Sequence, residues 1–260
     1  MKIKFIGVGS AFTTNEYYQS NMLITAPTGK KMLLDCGSDA RFSLADAVAG
    51  GVDPLSELDA IYVSHLHADH IGGLEWVAFS TFFNPDLHTL KLFVEESLIE
   101  PLWHHSLKGG LACVEGRLLT LQDYFACTPL RSGVPFDWEG VRLTPVRMPH
   151  MSCEEADLFS YGLILEQLSN GASAFVTTDT KYCPEILEAI LPGVDMVFHD
   201  CETSSQPSGV HAHYNELCCL DRKARAKLWL YHYLPSPDQN PESDGFLGFV
   251  KKGQEFSLGE

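Results

Sequence analysis

The sequence predicts an α/β or α+β fold, arranged as a two-sheet sandwich flanked by helices. Three observations favour this class: short apolar runs typical of strands, helical patterns between them, and a length of 260 residues, enough for one large buried core. Hydrophobic residues make up 45% of the chain and charged residues 20%, which excludes a disordered or collagen-like chain. No Ser/Gly-rich linker divides the sequence, so we expect residues 1–260 to form a single domain.

The predicted strands are apolar runs bounded by turn-forming residues. They cover residues 2–8, 21–26, 31–36, 59–64, 90–94, 173–178, 195–199 and 227–232. Helical patterns between them cover residues 43–49, 74–83, 96–107, 185–191 and 215–223. Short turns such as Pro27-Thr28-Gly29 join the first strands, which is typical of an antiparallel meander rather than a doubly wound parallel sheet.

Two further segments have less regular patterns. Residues 83–131 show no ligand-like spacing and mix aromatic with glycine-containing stretches, so we expect a cap or lid beside the functional site. The tail turns apolar at residues 246–250, which predicts either a final sheet edge or a contact between subunits.

The charge of the chain disfavours negatively charged partners. Lys and Arg number 18 against 34 Asp and Glu, a formal net charge of −16 that repels nucleic acids and anionic membrane surfaces. No stretch approaches the roughly 18 consecutive apolar residues of a membrane span, and Gly7 interrupts the N-terminal apolar run. We therefore expect a cytoplasmic protein with neither a membrane segment nor a large nucleic-acid interface.

The motif SHLHADH at residues 64–70 is the strongest chemical signal in the sequence. It follows an apolar strand and precedes a helical pattern. Residues two apart share one face of a strand, so His65 and His67 can bind one metal ion, while Asp69 and His70 on the following turn can reach a second. Eight cysteines without a CxxC pair offer no comparable metal site.

This HxHxDH pattern resembles the metallo-β-lactamase superfamily, whose fold is an αββα sandwich, and counterparts of its other ligands follow in the expected order. His150 in MPH resembles the third histidine, Asp179 in TTDT the bridging carboxylate, and His232 in LYHY the last ligand. Taken singly, each could equally be a partly buried polar residue. The resemblance implies one metal bound by His65, His67, His150 and Asp179, and another bound by Asp69, His70, Asp179 and His232.

Further segments are similar to the ribonuclease Z-like branch of that superfamily. They are GVGSAFTT at residues 7–14 with Ser20-Asn21, LLDCG at residues 33–37, HDCET at residues 199–203 and HAHYNEL at residues 211–217. The resemblance implies that Asp35 orients a ligand histidine, although an Asp before Gly37 is equally typical of a turn.

The last two segments carry the predicted proton donor. On this alignment His211 protonates the leaving oxygen and Asp200, which stands where a Glu is usual, holds its ring. His213 replaces the usual Ser or Thr, so it is a further candidate for substrate contact, and which histidine donates the proton stays open. Asp69 completes the set of predicted catalytic residues.

The resemblance implies a dinuclear phosphodiesterase in which a metal-bridged hydroxide attacks a small phosphodiester and His211 acts as general acid. Small members of the branch degrade cyclic nucleotides, among them phage anti-Pycsar-type enzymes, and a cyclic nucleotide is the substrate we expect. Two Zn²⁺ ions suit the ligands, with Mn²⁺ or Fe as alternatives, and the family implies a homodimer.

The sequence leaves three alternative functions to consider. The same metals could hydrolyse a carboxylic ester, thioester or lactone. A tRNA 3′-end endonuclease is disfavoured, because only residues 151–178 separate His150 from Asp179, too few for the tRNA-binding arm of ribonuclease Z. A non-catalytic binding module is disfavoured by the complete ligand set.

Overall fold

Two seven-stranded sheets packed face to face form the framework of the computed structural model, which describes residues 1–48 and 51–259. In spatial order the first sheet contains β16 (Glu255–Ser257), β1 (Lys2–Gly7), β2 (Asn21–Thr25), β3 (Lys31–Leu34), β4 (Ala60–Val63), β5 (Lys91–Glu95) and β8 (Ala126–Leu130). The second contains β15 (Gly248–Phe249), β14 (Leu228–Tyr231), β13 (Met196–Asp200), β12 (Ser173–Val176), β11 (Asp157–Gln167), β10 (Val141–Ser152) and β9 (Phe136–Trp138). The predicted two-sheet sandwich is confirmed.

Short helices cover the outer faces of both sheets. They are α1 (Ala40–Ala47), α2 (Ala68–Ile71), α3 (Leu74–Phe83), α4 (Glu96–Pro101), α5 (Lys108–Leu111), α6 (Leu121–Tyr124), α7 (Pro184–Ile190), α8 (Tyr214–Leu217) and α9 (Arg222–Arg225). Leu102–Leu107 forms a π-helical segment, Pro54–Glu57 and Leu191–Gly193 form 3₁₀ turns, and β6 (Cys113–Val114) pairs with β7 (Arg117–Leu118) in a small hairpin. Ala49, the last residue of the helix predicted at 43–49, lies outside the described residues.

Three apolar clusters hold these layers together. Side chains such as Phe5 and Tyr62 of the first sheet meet Leu163 and Phe198 of the second in the central core. A second cluster lies between the first sheet and the helices α1 and α3 to α6, and a third between the second sheet and the helices α7 and α8. Burial of apolar surface on both faces of each sheet produces the αββα arrangement.

The first sheet begins as the predicted antiparallel meander of β1, β2 and β3, and then continues with the parallel strands β4, β5 and β8. Residues 83–131, predicted to form a lid, include β5 and β8 of this sheet and the helices between them. At the other edge of the molecule, β15 takes up part of the apolar stretch 246–250 and closes the second sheet as its last strand.

Parallel pairing places the chemistry-bearing segments at one end of the sandwich. Because β12, β13 and β14 run parallel, their carboxyl ends deliver Asp179, Asp200 and His232 to the same edge. In the facing sheet, β3 and β4 also run parallel and deliver Asp35 and His65 to that edge. The site therefore lies where the carboxyl ends of both sheets meet.

Candidate metal centre

Seven histidine and aspartate side chains predicted as metal ligands converge at this edge. One group of donor atoms within 4.8 Å of one another comes from His65, His67, His150 and Asp179, and another from Asp69, His70, Asp179 and His232. Asp179 belongs to both groups. These are the two sets that the sequence resemblance implies.

In the first group, three imidazole nitrogens face one another. The Nδ1 atom of His67 lies 3.0 Å from Nε2 of His65 and 3.1 Å from Nε2 of His150. His65 and His67 follow β4, whereas His150 comes from the long strand β10 of the opposite sheet. Residues from both sheets therefore form this group.

The carboxylate of Asp179 lies between the two groups. Its Oδ2 atom is 3.2 Å from Nε2 of His70, 3.4 Å from Nε2 of His232 and 3.7 Å from Nε2 of His65. Asp69, at the start of α2, lies close to two of these histidines. Its Oδ2 atom is 3.3 Å from Nε2 of His70 and 4.0 Å from Nε2 of His232. One carboxylate can therefore contact cations held by either group.

Asp35 orients two of the histidines. Its Oδ2 atom accepts hydrogen bonds from Nδ1 of His70 at 2.7 Å and from Oγ of Ser64 at 2.7 Å. Since the Ser64 hydroxyl donates to Asp35, it accepts from Nδ1 of His65 at 3.0 Å. Both rings therefore hold a proton on Nδ1 and direct Nε2 toward the centre.

The same arrangement recurs at His150 and His232, whereas His67 directs Nδ1 toward the other imidazoles. Nδ1 of His150 donates to the carbonyl oxygen of Val210 at 3.0 Å. Nδ1 of His232 donates at 3.0 Å to Oγ of Ser20, whose own proton goes to the carbonyl oxygen of Gly9. The sequence analysis assigned no role to Ser20, Ser64 or Val210. A hydroxyl next to a ligand histidine could have indicated such a role, and among these residues only Ser64 has that position.

The protonation of the first group matches metal binding. Burial, together with the positive field of His70, holds the pKa of His65 well below its usual value, and burial also lowers the pKa of His67 and of His150. Burial alone would raise the pKa of Asp179, but His232 and His70 hold it well below the usual range. Neutral imidazoles and an ionised carboxylate are the forms that bind cations.

Among the described residues, Oδ1 of Asp179 is buried at the centre without a hydrogen-bond partner, and Nε2 of His70 has ion pairs with Asp69 and Asp179 but no hydrogen bond. Buried polar atoms of this kind cost free energy unless an ion or another group satisfies them. Imidazole nitrogens and carboxylate oxygens together suit a divalent transition metal. The described residues therefore fit metal binding, although they do not identify the metal.

His211 lies beside the centre and is paired with Asp200. Its Nδ1 atom donates to Oδ2 of Asp200 at 2.8 Å and is 3.9 Å from Oδ2 of Asp179. Burial alone would lower the pKa of His211, but the Asp200 carboxylate raises it to about 10. The Asp200 carboxylate therefore favours the protonated form of the imidazole. Because Asp200 and His211 also fall in a group with Asp179 and His232, both could contact a cation as well.

His213 has a different environment. Its Nδ1 atom accepts from the backbone nitrogen of Asn215 at 3.2 Å, so the side chain caps the start of α8. Its Nε2 atom donates to the carbonyl oxygen of Ser204 at 2.9 Å. Both ring nitrogens are engaged within the protein, whereas Nε2 of His211 forms no such bond.

Three residues at strand ends around the centre adopt left-handed backbone conformations that non-glycine residues rarely use. The φ angles are 63° at Asp35, 54° at Thr178 and 64° at His232. Such positions cost about 1–3 kcal/mol each and cluster at functional sites. These strained residues follow β3, β12 and β14, at the points where the chain leaves each strand beside the centre.

Comparison with known proteins identifies the relatives of this chain. The family model described as Anti-Pycsar protein Apyc1 matches residues 1–256. The chain belongs to this family. Anti-Pycsar protein Apyc1 of Bacillus phage vB_BveM-Goe7 is 33% identical over 269 residues, covering 99% of this chain and 98% of the relative. The protein of the same name from Paenibacillus xerothermodurans is 33% identical over 263 residues, covering 100% and 98%.

Solved structures share the fold of this Apyc1-family chain. The metallo-β-lactamase fold protein YhfI from Bacillus subtilis superposes with a TM-score of 0.73 at 18% identity, covering 98% of this chain and 99% of that one. A diphosphatase from the PhnP family gives a TM-score of 0.73 at 19% identity, covering 99% and 98%. The predicted metallo-β-lactamase fold is confirmed, and the fold together with the histidine and aspartate cluster supports a metal-dependent hydrolase.

None of the helices in the described part of the chain is long and apolar enough to cross a membrane.

Proposed function

We propose that this chain is a dinuclear metal-dependent phosphodiesterase that hydrolyses a small phosphodiester, namely a cyclic nucleotide. The ligands would be His65, His67, His150 and Asp179 for one cation and Asp69, His70, Asp179 and His232 for the other, with Zn²⁺ as the resident metal. When bound, such cations lower the pKa of a water molecule and neutralise the charge on phosphate oxygens.

The observation that carries this proposal is the pairing of His211 with Asp200 next to Asp179. Nδ1 of His211 is bound to Asp200 at 2.8 Å, so the ring is held with its Nε2 edge directed away from that carboxylate. The side chain is 21% exposed and can reach a substrate. An alkoxide leaves phosphorus readily only when it receives a proton, and a protonated imidazole beside the centre supplies one.

His213 is the less suitable donor, because both of its ring nitrogens are used to hold α8 and the loop at Ser204. We therefore assign the proton transfer to His211 and a supporting role to His213. Asp35, which is almost fully buried, would keep His70 in the tautomer that presents Nε2 to a cation.

Two features favour a small substrate over tRNA. Residues 151–178 are taken up by the end of β10, by β11 and by β12, with a tight turn at residues 153–156 between the first two strands. The net charge of −16 opposes a long polyanion. The relatives are named anti-Pycsar proteins, which favours the cyclic-nucleotide substrate that the ribonuclease Z-like resemblance implies.

Hydrolysis of a carboxylic ester, thioester or lactone is the second candidate. The metal ligands would serve it equally well. A tetrahedral intermediate that expels a thiolate has less need of a proton donor, so the His211–Asp200 pair counts against a thioester. An ester or lactone also releases an alkoxide, and there the names of the anti-Pycsar relatives are the reason for ranking the phosphodiester first.

We propose that the protein acts in the cytoplasm and as the homodimer that the family resemblance implies. Because β5 and β8 are strands of the first sheet, only the segment between them, and not all of residues 83–131, would be a lid beside the site. The molecular mass of the protein in solution, measured by light scattering, tests the dimer.

Hydrolysis of a substrate panel tests the activity. Metal-replete protein is assayed with 3′,5′- and 2′,3′-cyclic nucleotides, bis-p-nitrophenyl phosphate, a lactone and a thioester, while its metal content is measured by mass spectrometry. We expect turnover of cyclic nucleotides that disappears on chelation, with zinc rather than manganese or iron in the protein. Turnover of the lactone or thioester alone would refute the phosphodiesterase and favour the second candidate.

A further inference from the structure

Two cavities border different histidines of the candidate metal centre. One, of about 250 Å³, is bordered by His211 and His232, and we call it the Phe12 cavity. The other, of about 390 Å³, is bordered by His65, His67 and His150 and includes Leu158, and we call it the Leu158 cavity. A substrate bound at the metals could extend into either one.

The proposed chemistry distinguishes the two cavities. In a 3′,5′-cyclic nucleotide, both ester oxygens belong to the ribose, and the ribose carries the base. The leaving oxygen must lie near His211, so the nucleoside is on the His211 side of the phosphorus. Only the Phe12 cavity includes His211 in its wall.

Phe12 gives this cavity an aromatic wall. The side chain is 88% exposed, the most exposed of the large hydrophobic residues in the described part of the chain. It lies in the loop after β1, which approaches the centre through the hydrogen bond from the backbone nitrogen of Ser10 to the carbonyl oxygen of Tyr233 at 3.3 Å. An exposed phenyl ring loses nothing in packing when a planar base stacks on it, and aromatic side chains bind bases in this way.

The cavity also offers an unused polar group. Ser10 lines it, and the Oγ atom of Ser10 has no hydrogen-bond partner among the described residues. The atom is buried in this structure, so it reaches the edge of a base only when the side chain rotates into the cavity, where the hydroxyl can donate or accept. The opposite wall is braced by Glu202, whose carboxylate accepts from the backbone nitrogen of Ser208 at 2.9 Å and from Oγ of Ser204 at 2.6 Å.

We infer that the Phe12 cavity is the nucleobase subsite, in which Phe12 stacks on the base and the Ser10 hydroxyl hydrogen-bonds to it. This inference rests on the proposed function, because it places the ribose by the proton transfer from His211. Stacking acts equally before and during the reaction, so Phe12 contributes to binding rather than to the chemical step. Phe12 and Ser10 are therefore substrate-binding residues.

Steady-state kinetics and equilibrium binding of single variants test the subsite. For Phe12→Ala we expect KM for a 3′,5′-cyclic nucleotide to rise about 5- to 10-fold with kcat unchanged, as for the loss of an exposed stacking contact. Calorimetric titration with the product nucleoside monophosphate should show a similar loss of affinity. Phe12→Trp should retain both values, since the ring is kept.

Leu158→Ala is the matched control, since Leu158 is 53% exposed and lies in the other cavity. We expect it to leave KM and kcat unchanged. The inference is overturned if Phe12→Ala leaves KM unchanged, or if Leu158→Ala raises it as much. Failure of the proposed function is a separate result: the unmodified, metal-replete protein would then turn over no cyclic nucleotide at all.

Discussion

The imidazole of His211 donates to the carboxylate of Asp200 across 2.8 Å, and the same Oδ2 atom of Asp200 accepts from the backbone nitrogen of Thr180 at 2.8 Å. Asp200 is fully buried at the end of β13, so its position is set by the sheet. The Asp side chain, which stands where the ribonuclease Z-like resemblance implies a Glu, therefore still reaches the histidine. This pair is the basis of the first two predictions.

Replacing His211 with alanine should suppress turnover without removing the metals. We expect kcat for a cyclic nucleotide to fall about 10²- to 10⁴-fold, the usual loss for a general acid, while the metal content by mass spectrometry stays at the wild-type value. His88→Ala is the control: His88 is exposed and precedes β5, at the end of the strands away from the centre. Loss of metal in the His211 variant would instead make this residue a ligand.

Asp200→Asn should reduce kcat by about 10- to 100-fold, since the neutral amide no longer stabilises the protonated imidazole. Asp200→Glu should recover most of the activity, because it restores the charge. If the amide variant and the Glu variant lose the same activity while both remain folded by circular dichroism, the charge of Asp200 has no role in positioning His211.

Removing the metals with a chelator should abolish turnover and lower the melting temperature by at least about 5 °C. Ions that bind only the folded state stabilise it by mass action. Differential scanning fluorimetry measures the shift. Added Zn²⁺ should restore the melting temperature and Ca²⁺ should not, because nitrogen ligands disfavour Ca²⁺. An unchanged melting temperature after chelation would contradict metal binding at this centre.

Asp35→Ala should destabilise the metal-free protein by about 2–4 kcal/mol. It removes three hydrogen bonds, from the backbone and hydroxyl of Ser64 and from His70, and places alanine at a φ of 63°. Asp35→Asn should cost less, since asparagine tolerates this conformation, yet metal affinity should still fall about 10- to 100-fold. Urea denaturation and metal titration measure the two effects. Wild-type metal affinity in both variants would show that Asp35 does not orient His70.

Local patterns in the sequence predicted much of the fold. The run at 59–64 became β4 and the run at 173–178 became β12, because buried strands need apolar residues in succession. The hairpin of β10 and β11 was not singled out. Pro145 and Pro149 lie within β10, and prolines at such positions normally indicate that no strand is present. Pro149 lies at a register shift in the pairing with β11.

The sequence predicted the ligands of the site but not the residues that orient them. Ligand residues have a restricted chemistry and a motif spacing, so His65 and His67 were evident from the sequence. Ser20 and Val210 hold the rings of His232 and His150, but a hydroxyl and a backbone carbonyl carry no such signal. Their roles arise from segments that are distant in the chain.

The sequence by itself determined the alternation of strands and helices and the HxHxDH motif, since apolar periodicity and ligand chemistry are local properties. The αββα class and the ligands His150, Asp179 and His232 followed from the resemblance of that motif to a known family. Only the tertiary structure decided which nitrogen each histidine presents, that His211 rather than His213 is free to donate, and that Phe12 borders the same cavity as His211. Those relationships depend on hydrogen bonds and contacts between loops from both sheets, and only packing of the two sheets brings those loops together.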